Sequence, residues 1–218
     1  MAHQALQTEV SSLHDRVERL QATLRTIIRG SDEVLRLALV AVFARGHLLI
    51  EGVPGVGKTT LAHALARSLD CIFQRVQFTS DMLPSDLLGT SIYSAAEERF
   101  EFKPGPVFTN ILLADEINRT TPKTQSALLE VMSEGQVTVD GVGREVPRPF
   151  LVIATQNPVE HYGTYPLPES QLDRFLLRAQ MSYPAAESER QILRAEAGAA
   201  RLDEIQPVLT GNEVLEMQ

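Results

Sequence analysis

The sequence contains a single cysteine, Cys71, and no tryptophan among its 218 residues. One cysteine cannot form a disulfide within the chain, and no charged-then-apolar leader opens it, so we expect a reducing, cytoplasmic location. The most apolar stretch, residues 34–43, contains Arg36 and is too short to span a bilayer. We therefore expect a soluble protein without a membrane segment.

Basic residues are the minority, since 20 Lys and Arg stand against 28 Asp and Glu, for a net charge of −8. Such a chain lacks a general field that attracts polyanions, which argues against a nucleic-acid partner or an anionic membrane. The five histidines show no metal-ligand spacing, and there is no repeat or low-complexity segment. Hydrophobic residues make up 44%, enough for one sizeable core with a smaller appendage.

Apolar residues three and four positions apart predict an amphipathic helix as the first unit, residues 1–29. The stripe consists of Val10, Leu13, Val17, Leu20, Leu24 and Ile27. Gly30 breaks the pattern, and Ser31 followed by two acids is typical of the N-cap and first turn of a second helix, which we expect to end near Arg45.

Five short apolar runs predict strands, at residues 47–51, 74–78, 110–115, 151–155 and 176–181. They alternate with helical segments, which favours an α/β fold with a parallel sheet covered by helices on both faces. Ligands of such folds bind at the carboxyl ends of the strands. Residues 90–108 and 136–149 interrupt the alternation, and Asp140-Gly141 in the second indicates a β-hairpin.

A glycine-rich loop joins the first strand to the following helix. It reads Gly52, Val53, Pro54, Gly55, Val56, Gly57, Lys58, Thr59 and matches G-x-x-x-x-G-K-[ST]. Glycines let successive N–H groups turn towards phosphate oxygens, and the helix N-terminus adds partial positive charge. We predict a site for a nucleoside triphosphate, most simply Mg-ATP, with Lys58 on the β- and γ-phosphates, Thr59 on Mg²⁺ and Thr60 completing the binding set; a ligand-free turn is the alternative.

The third strand ends in two carboxylates, Asp115 and Glu116. Because side chains alternate along a strand, one acid can hold hydrated Mg²⁺ while the other polarises a water, so we predict Asp115 as metal ligand and Glu116 as general base. A solvated strand end is the alternative. After the fourth strand, Asn157 can orient the attacking water, or it is a turn-forming residue before Pro158.

These motifs resemble the MoxR family of AAA+ ATPases over roughly residues 25–195. The most specific segments are Asn157-Pro158-Val159-Glu160, residues 163–169 and Leu172-Asp173-Arg174-Phe175. The resemblance implies an AAA+ core at residues 30–183, with a five-stranded sheet of order 5-1-4-3-2. It also implies a hexamer-like ring in which ATP lies between subunits.

The resemblance further implies roles for single residues. Asn157 corresponds to sensor 1, and Arg174 to an arginine finger inserted into the neighbouring subunit's site, although a surface salt bridge is the ordinary alternative for an arginine. Residues 27–30, including Ile28 and Gly30, resemble the segment that lines the adenine pocket, but Ser31 stands where the family usually has glutamine. The two interrupting segments resemble the helix-2 insert and the pre-sensor-1 hairpin, which face the ring pore in relatives.

The implied function is ATP-driven remodelling or maturation of a client protein, often with a von Willebrand factor A domain partner. A nucleotide-gated interaction module with little turnover is the alternative, and the acidic charge disfavours a DNA-dependent motor. Residues 184–218 resemble the beginning of a helical lid. Because the family's lid extends further and carries a sensor-2 arginine, we expect an incomplete lid and slow hydrolysis by this chain.

Overall fold

The computed structural model describes residues 2–157, 163–183, 190 and 202–218, with side chains from residue 13 onwards. The helices are α1 (Ala2–Ile27), α2 (Asp32–Phe43), α3 (Lys58–Ser68), α4 (Pro84–Leu88), α5 (Pro122–Glu134), α6 (Glu169–Leu172) and α7 (Gly211–Met217), with 3-10 turns at Ile117–Arg119 and Leu202–Glu204. The strands are β1 (Leu48–Gly52), β2 (Phe73–Gln77), β3 (Gly89–Ser94), β4 (Arg99–Pro104), β5 (Ile111–Asp115), β6 (Gln136–Val139), β7 (Val142–Glu145), β8 (Leu151–Gln156) and β9 (Leu177–Met181). Within these ranges, no helix combines the length and apolar composition needed to cross a bilayer.

Five strands form a parallel sheet in the order β9-β1-β8-β5-β2. Counted along the chain, this is the order 5-1-4-3-2, which confirms the expected AAA+ topology. All five predicted strands are present, with ends that differ by one residue or so from those predicted. Because the strands are parallel, their carboxyl ends all lie at one edge of the sheet.

Side chains alternate between the two faces of the sheet, and those of the three central strands, β1, β5 and β8, are buried on both. Leu48 and Ile50 pack in a cluster with α1, α2 and α3, whereas Leu49 between them packs in a second cluster with α5. The strands β5 and β8 repeat this alternation. A sheet covered on both faces needs nearly continuous apolar strands, which is the pattern that predicted it.

The N-terminal helix is part of this core. Leu20 and Leu24 are fully buried in the same cluster as α2 and α3, as the apolar stripe predicts. Of the segment predicted as the start of a lid, residues 184–189 and 191–201 lie outside the described ranges. In the described remainder, Leu209 and Val214 are buried against the same cluster.

The second helix begins where predicted but is not capped as expected. Ser31 is the N-cap residue, yet its side chain makes no capping hydrogen bond, because its backbone (φ −134°, ψ 42°) is outside the extended region usual for a cap. Asp32 in the first turn instead pairs with Arg25 at 2.6 Å. The helix ends at Phe43, two residues before Arg45, which has a φ of 54°.

The two segments that interrupt the alternation are antiparallel hairpins outside the main sheet, β3–β4 and β6–β7. Asp140 and Gly141 join β6 to β7 with φ values of 53° and 73°, which confirms the predicted tight turn. The guanidinium of Arg144 lies 4.0 Å from the ring centre of Phe102 on β4, so the two hairpins contact each other.

His47 connects α5 to β8 at the amino edge of the sheet. Its Nδ1 accepts from the backbone N–H of Val152 at 3.0 Å, and its Nε2 lies 3.1 Å from the carbonyl oxygen of Met132. Since an N–H can only donate, Nδ1 carries no proton and the ring is neutral. Burial lowers the pKa of His47 to about 4.

The buried imidazole predicts a specific loss of stability in mild acid. The pKa of His47 lies below its unfolded value of about 6.5, so its contribution is present above that pH and is lost as the pH falls towards 4. Between about pH 7 and about pH 5, the free energy of unfolding should fall by about 2 kcal/mol more for the wild type than for His47→Gln. Urea denaturation at both pH values measures this, and parallel losses in the two proteins would contradict it. His14→Gln, at an exposed position, is the control for loss of an imidazole.

Candidate functional site

The glycine-rich loop occupies residues 53–57, between the end of β1 and the start of α3. Gly55 and Gly57 have φ values of 81° and 94°, in the region that favours glycine. A Cβ on Gly55 would meet no atom within 4 Å, so the loop opens on free space. The first N–H groups of α3 have no acceptor within the helix, and they add to its positive end. The loop therefore has the donors that a phosphate group requires.

Lys58, the first residue of α3, is buried, and its Nζ donates to the carbonyl oxygen of Gly52 at 2.7 Å. Burial lowers the pKa of Lys58, and the carboxylates of Asp115 and Glu116 act in the opposite direction. The structure thus brings together the predicted phosphate-binding lysine, which follows the loop after β1, and both predicted acids at the end of β5, although β8 lies between these two strands.

Asp115 is the last residue of β5, and both neighbouring strands hold its carboxylate. Its Oδ1 accepts from the hydroxyl of Thr155 on β8 at 2.6 Å. Its Oδ2 accepts from Nη2 and Nε of Arg75 on β2, at 2.7 and 3.2 Å. Sequence reasoning missed Thr155 and Arg75, because an isolated threonine or arginine within a strand has no distinctive local pattern.

Glu116 follows the strand with a φ of 59°, in the left-handed region. Its N–H donates to Thr155 Oγ1 at 2.9 Å, and its Oε2 accepts from Gln77 Nε2 at 2.5 Å and from Arg119 Nε at 3.1 Å. The sequence predicted the direction of the Glu116 side chain from the alternation of side chains along a strand. This reason does not apply, because β5 ends at Asp115 and Glu116 leads into a 3-10 helix. Its carboxylate still lies at the carboxyl edge of the sheet.

Asn157 follows β8 directly and is buried, beside the strand that carries the acids. This is the position that the sequence predicted for an amide at the tip of a neighbouring strand. Residues 158–162, which include the remainder of the Asn157–Glu160 motif, lie outside the described ranges.

The remaining predicted site residues lie on other elements. Arg174 follows α6, is exposed, and donates to the hydroxyl of Ser133 on α5 in the same chain. Ile28 is buried in the core cluster that contains α1, and Gly30 has a φ of 76°. The roles assigned to Arg174 in a neighbouring subunit and to Ile28 and Gly30 at an adenine ring stay predictions.

The oxygen donors of the site suit a metal ion carried by a nucleotide. Thr59 contributes a hydroxyl beside the phosphate loop, and Asp115 contributes a carboxylate. In the part of the chain that the structure describes, no group of three or more His, Cys, Asp or Glu side chains could hold a metal. Mg²⁺ commonly takes one or two protein oxygens and completes its shell with phosphates and waters, so this sparse donor set fits it.

The topology and the site together define a class of protein. A parallel sheet of order 5-1-4-3-2 carries the phosphate loop after its first strand, an acid pair after its third and an asparagine after its fourth. This is the architecture of an AAA+ nucleoside triphosphatase core. The family model described as "ATPase family associated with various cellular activities (AAA)" matches residues 47–177, and the chain belongs to this family.

The chain is also similar to a protein of the MoxR type, in agreement with the resemblance of its sequence motifs. The uncharacterized protein YeaC of Bacillus subtilis is 48% identical over 206 residues, which cover 94% of this chain and 64% of YeaC. The chaperone MoxR1 of Mycobacterium tuberculosis is 48% identical over 190 residues, which cover 87% of this chain and 49% of MoxR1. The crystal structure of a candidate ATPase from Cytophaga hutchinsonii superposes with a TM-score of 0.87 at 42% identity, over 98% of this chain and 66% of that one. The chain thus spans about half to two thirds of the length of these proteins.

The position of Thr155 predicts that its hydroxyl organises both acids. Thr155→Val keeps the shape of the side chain but leaves Asp115 Oδ1 and the Glu116 N–H without this partner, so the free energy of unfolding should fall by about 1–3 kcal/mol. Hydrogen exchange of the Glu116 amide should accelerate in Thr155→Val and stay slow in Thr155→Ser, which keeps the hydroxyl. Equal stability and equal exchange in wild type and Thr155→Val would show that the hydroxyl has no such role.

Proposed function

We propose that this chain binds Mg-ATP and hydrolyses it to ADP and phosphate. The observation that carries the proposal is the joint position of Lys58, Asp115 and Glu116 at the carboxyl edge of the sheet, beside the N-terminus of α3. A buried lysine and a helix N-terminus bind polyphosphate, and an adjacent carboxylate can take a proton from water. The family to which the chain belongs supports a nucleotide triphosphatase in general.

Each residue has a distinct part in the proposed reaction. Lys58 would exchange its bond to Gly52 O for the β- and γ-phosphates, and Glu116 would accept a proton from the water that attacks the γ-phosphorus as the bond to ADP breaks. Asn157 would orient that water. Thr59 and Asp115 would hold Mg²⁺, which when bound supplies charge neutralisation of the phosphates.

The proposed output is mechanical work on a client protein, in a hexamer-like ring whose sites are completed across subunits. Arg174 is exposed, so a second subunit could reach it once it leaves the hydroxyl of Ser133. A chaperone-like role follows the name of the relative MoxR1. We further propose that the client acts together with a von Willebrand factor A domain partner and that the protein works in the cytoplasm. No nucleic-acid partner is expected.

Two variants separate binding from hydrolysis. Lys58→Ala should lose nucleotide binding, because it removes the buried ammonium from the phosphate loop. Glu116→Gln should bind ATP like the wild type but hydrolyse it about 10²–10⁴ times more slowly, the factor expected for loss of a general base. Fluorescent-nucleotide titration and a phosphate-release assay measure the two properties. Unchanged turnover in either variant would refute the assignment, and nucleotide binding without turnover in the wild type would favour the gated interaction module.

Mixing inactive subunits tests Arg174. Arg174→Ala has an intact loop and Lys58→Ala an intact arginine, so a mixed ring contains complete interfaces. If Arg174 acts in trans, an equimolar mixture should regain roughly a quarter of wild-type turnover, since one random interface in four pairs an intact loop with an intact arginine. A mixture no more active than either variant alone would argue against action across subunits. The size of the wild-type assembly, from sedimentation in the presence of ATP, shows whether rings form.

A further inference from the structure

The two acids belong to a closed circuit of hydrogen bonds. Arg75 Nη2 contacts both Asp115 Oδ2, at 2.7 Å, and Gln77 Oε1, at 3.0 Å. Gln77 Nε2 donates to Glu116 Oε2 at 2.5 Å, and the Glu116 N–H donates to Thr155 Oγ1 at 2.9 Å. Thr155 Oγ1 then donates to Asp115 Oδ1 at 2.6 Å, which closes the circuit across β2, β5 and β8.

The edge strand β2 supplies two exposed members of this circuit, Arg75 and Gln77. Arg75 and Gln77 are two positions apart and therefore share a face of β2, and Gln77 pairs in register with Asp115. Because β2 has no further neighbour in the sheet, the Arg75 side chain is 47% exposed, whereas that of Asp115 is 12% exposed. The guanidinium can therefore move into solvent at little cost, whereas the carboxylate cannot.

Arg75 occupies one oxygen of the carboxylate that the proposed function assigns to a metal. Thr155 already donates to Oδ1 of Asp115, so Oδ2 is the oxygen on which Arg75 and a cation compete. A guanidinium beside this carboxylate also repels an incoming dication. The pair is partly exposed, so its contribution to stability is small, and its main effect falls on the charge of the site.

We propose that Arg75 is a positioning residue that holds Asp115 until a metal–nucleotide complex is present. Asp115 must release Arg75 before it takes up the metal. The same Nη2 also donates to Gln77 Oε1, so departure of Arg75 removes this partner of Gln77 as well. This inference rests on the proposed function, and it makes Arg75 the group that a metal must displace from Asp115.

Metal affinity tests the competition without reference to turnover. Nucleotide binding is measured first, with ADP in the presence of EDTA, and Mn²⁺ affinity of the ADP-loaded protein is then measured by electron paramagnetic resonance. Arg75→Gln should bind Mn²⁺ about tenfold more tightly than the wild type, because one repelling charge is gone. Arg75→Lys, which keeps the charge, should stay within a few-fold of the wild type. Absence of ADP binding in the wild type would refute the proposed function, whereas normal ADP binding with equal or weaker Mn²⁺ affinity in Arg75→Gln would overturn this inference alone.

A measurement on the wild type keeps the proposal testable if a variant fails to fold. Addition of Mg²⁺ to the ADP-loaded protein should shift the NMR signal of the Arg75 Nε–H group and, with it, the side-chain amide signals of Gln77. Arg75→Lys identifies the arginine signal. Arginine and glutamine signals that stay in place on Mg²⁺ addition would show that Asp115 keeps its bond to Arg75 and would overturn the proposal.

Discussion

Five strands that run in one direction are the constraint on which the rest of this structure depends. Parallel order brings every carboxyl end to the same edge, so the phosphate loop after β1, the acids after β5 and Asn157 after β8 converge without long excursions of the chain. Helices bury both faces of the three central strands, which favours the ends of these strands as positions for charged groups. The location of the site therefore follows from the topology.

The two edges of the sheet handle polar groups in opposite ways. At the amino edge, His47 is buried, neutral and satisfied by two backbone groups. At the carboxyl edge, Lys58 donates to the carbonyl oxygen of Gly52, and Arg75 forms an ion pair with Asp115. The neutral ring of His47 links two elements of the fold, whereas the hydrogen-bonded side chains at the carboxyl edge can exchange their protein partners for a ligand. The amino edge is therefore structural, and the carboxyl edge is the candidate site.

The two hairpins lie outside this order. They interrupt the strand–helix alternation because their residues pair with each other and not with the parallel sheet. The pair Tyr93 and Phe100 is exposed on the first hairpin, with ring centres 5.4 Å apart, while Phe102 on the same strand lies under Arg144 of the second. The first hairpin thus contacts the second hairpin through Phe102, whereas Tyr93 and Phe100 are exposed to solvent.

The sequence by itself determined the strands, the phosphate loop, the acid pair, the turn at Asp140-Gly141 and the family. Each of these is a local pattern, either a short apolar run or a fixed spacing of residue types. Only the tertiary structure decided which side chains hydrogen-bond to the two acids, that the side chain of Ser31 does not cap its helix, and that the backbone of Glu116 is in the left-handed region. Arg75 and Thr155 each lie 40 residues from Asp115. Neighbouring strands of a parallel sheet are separated in the sequence by long crossover connections, so no local spacing of residues predicts the contacts between them.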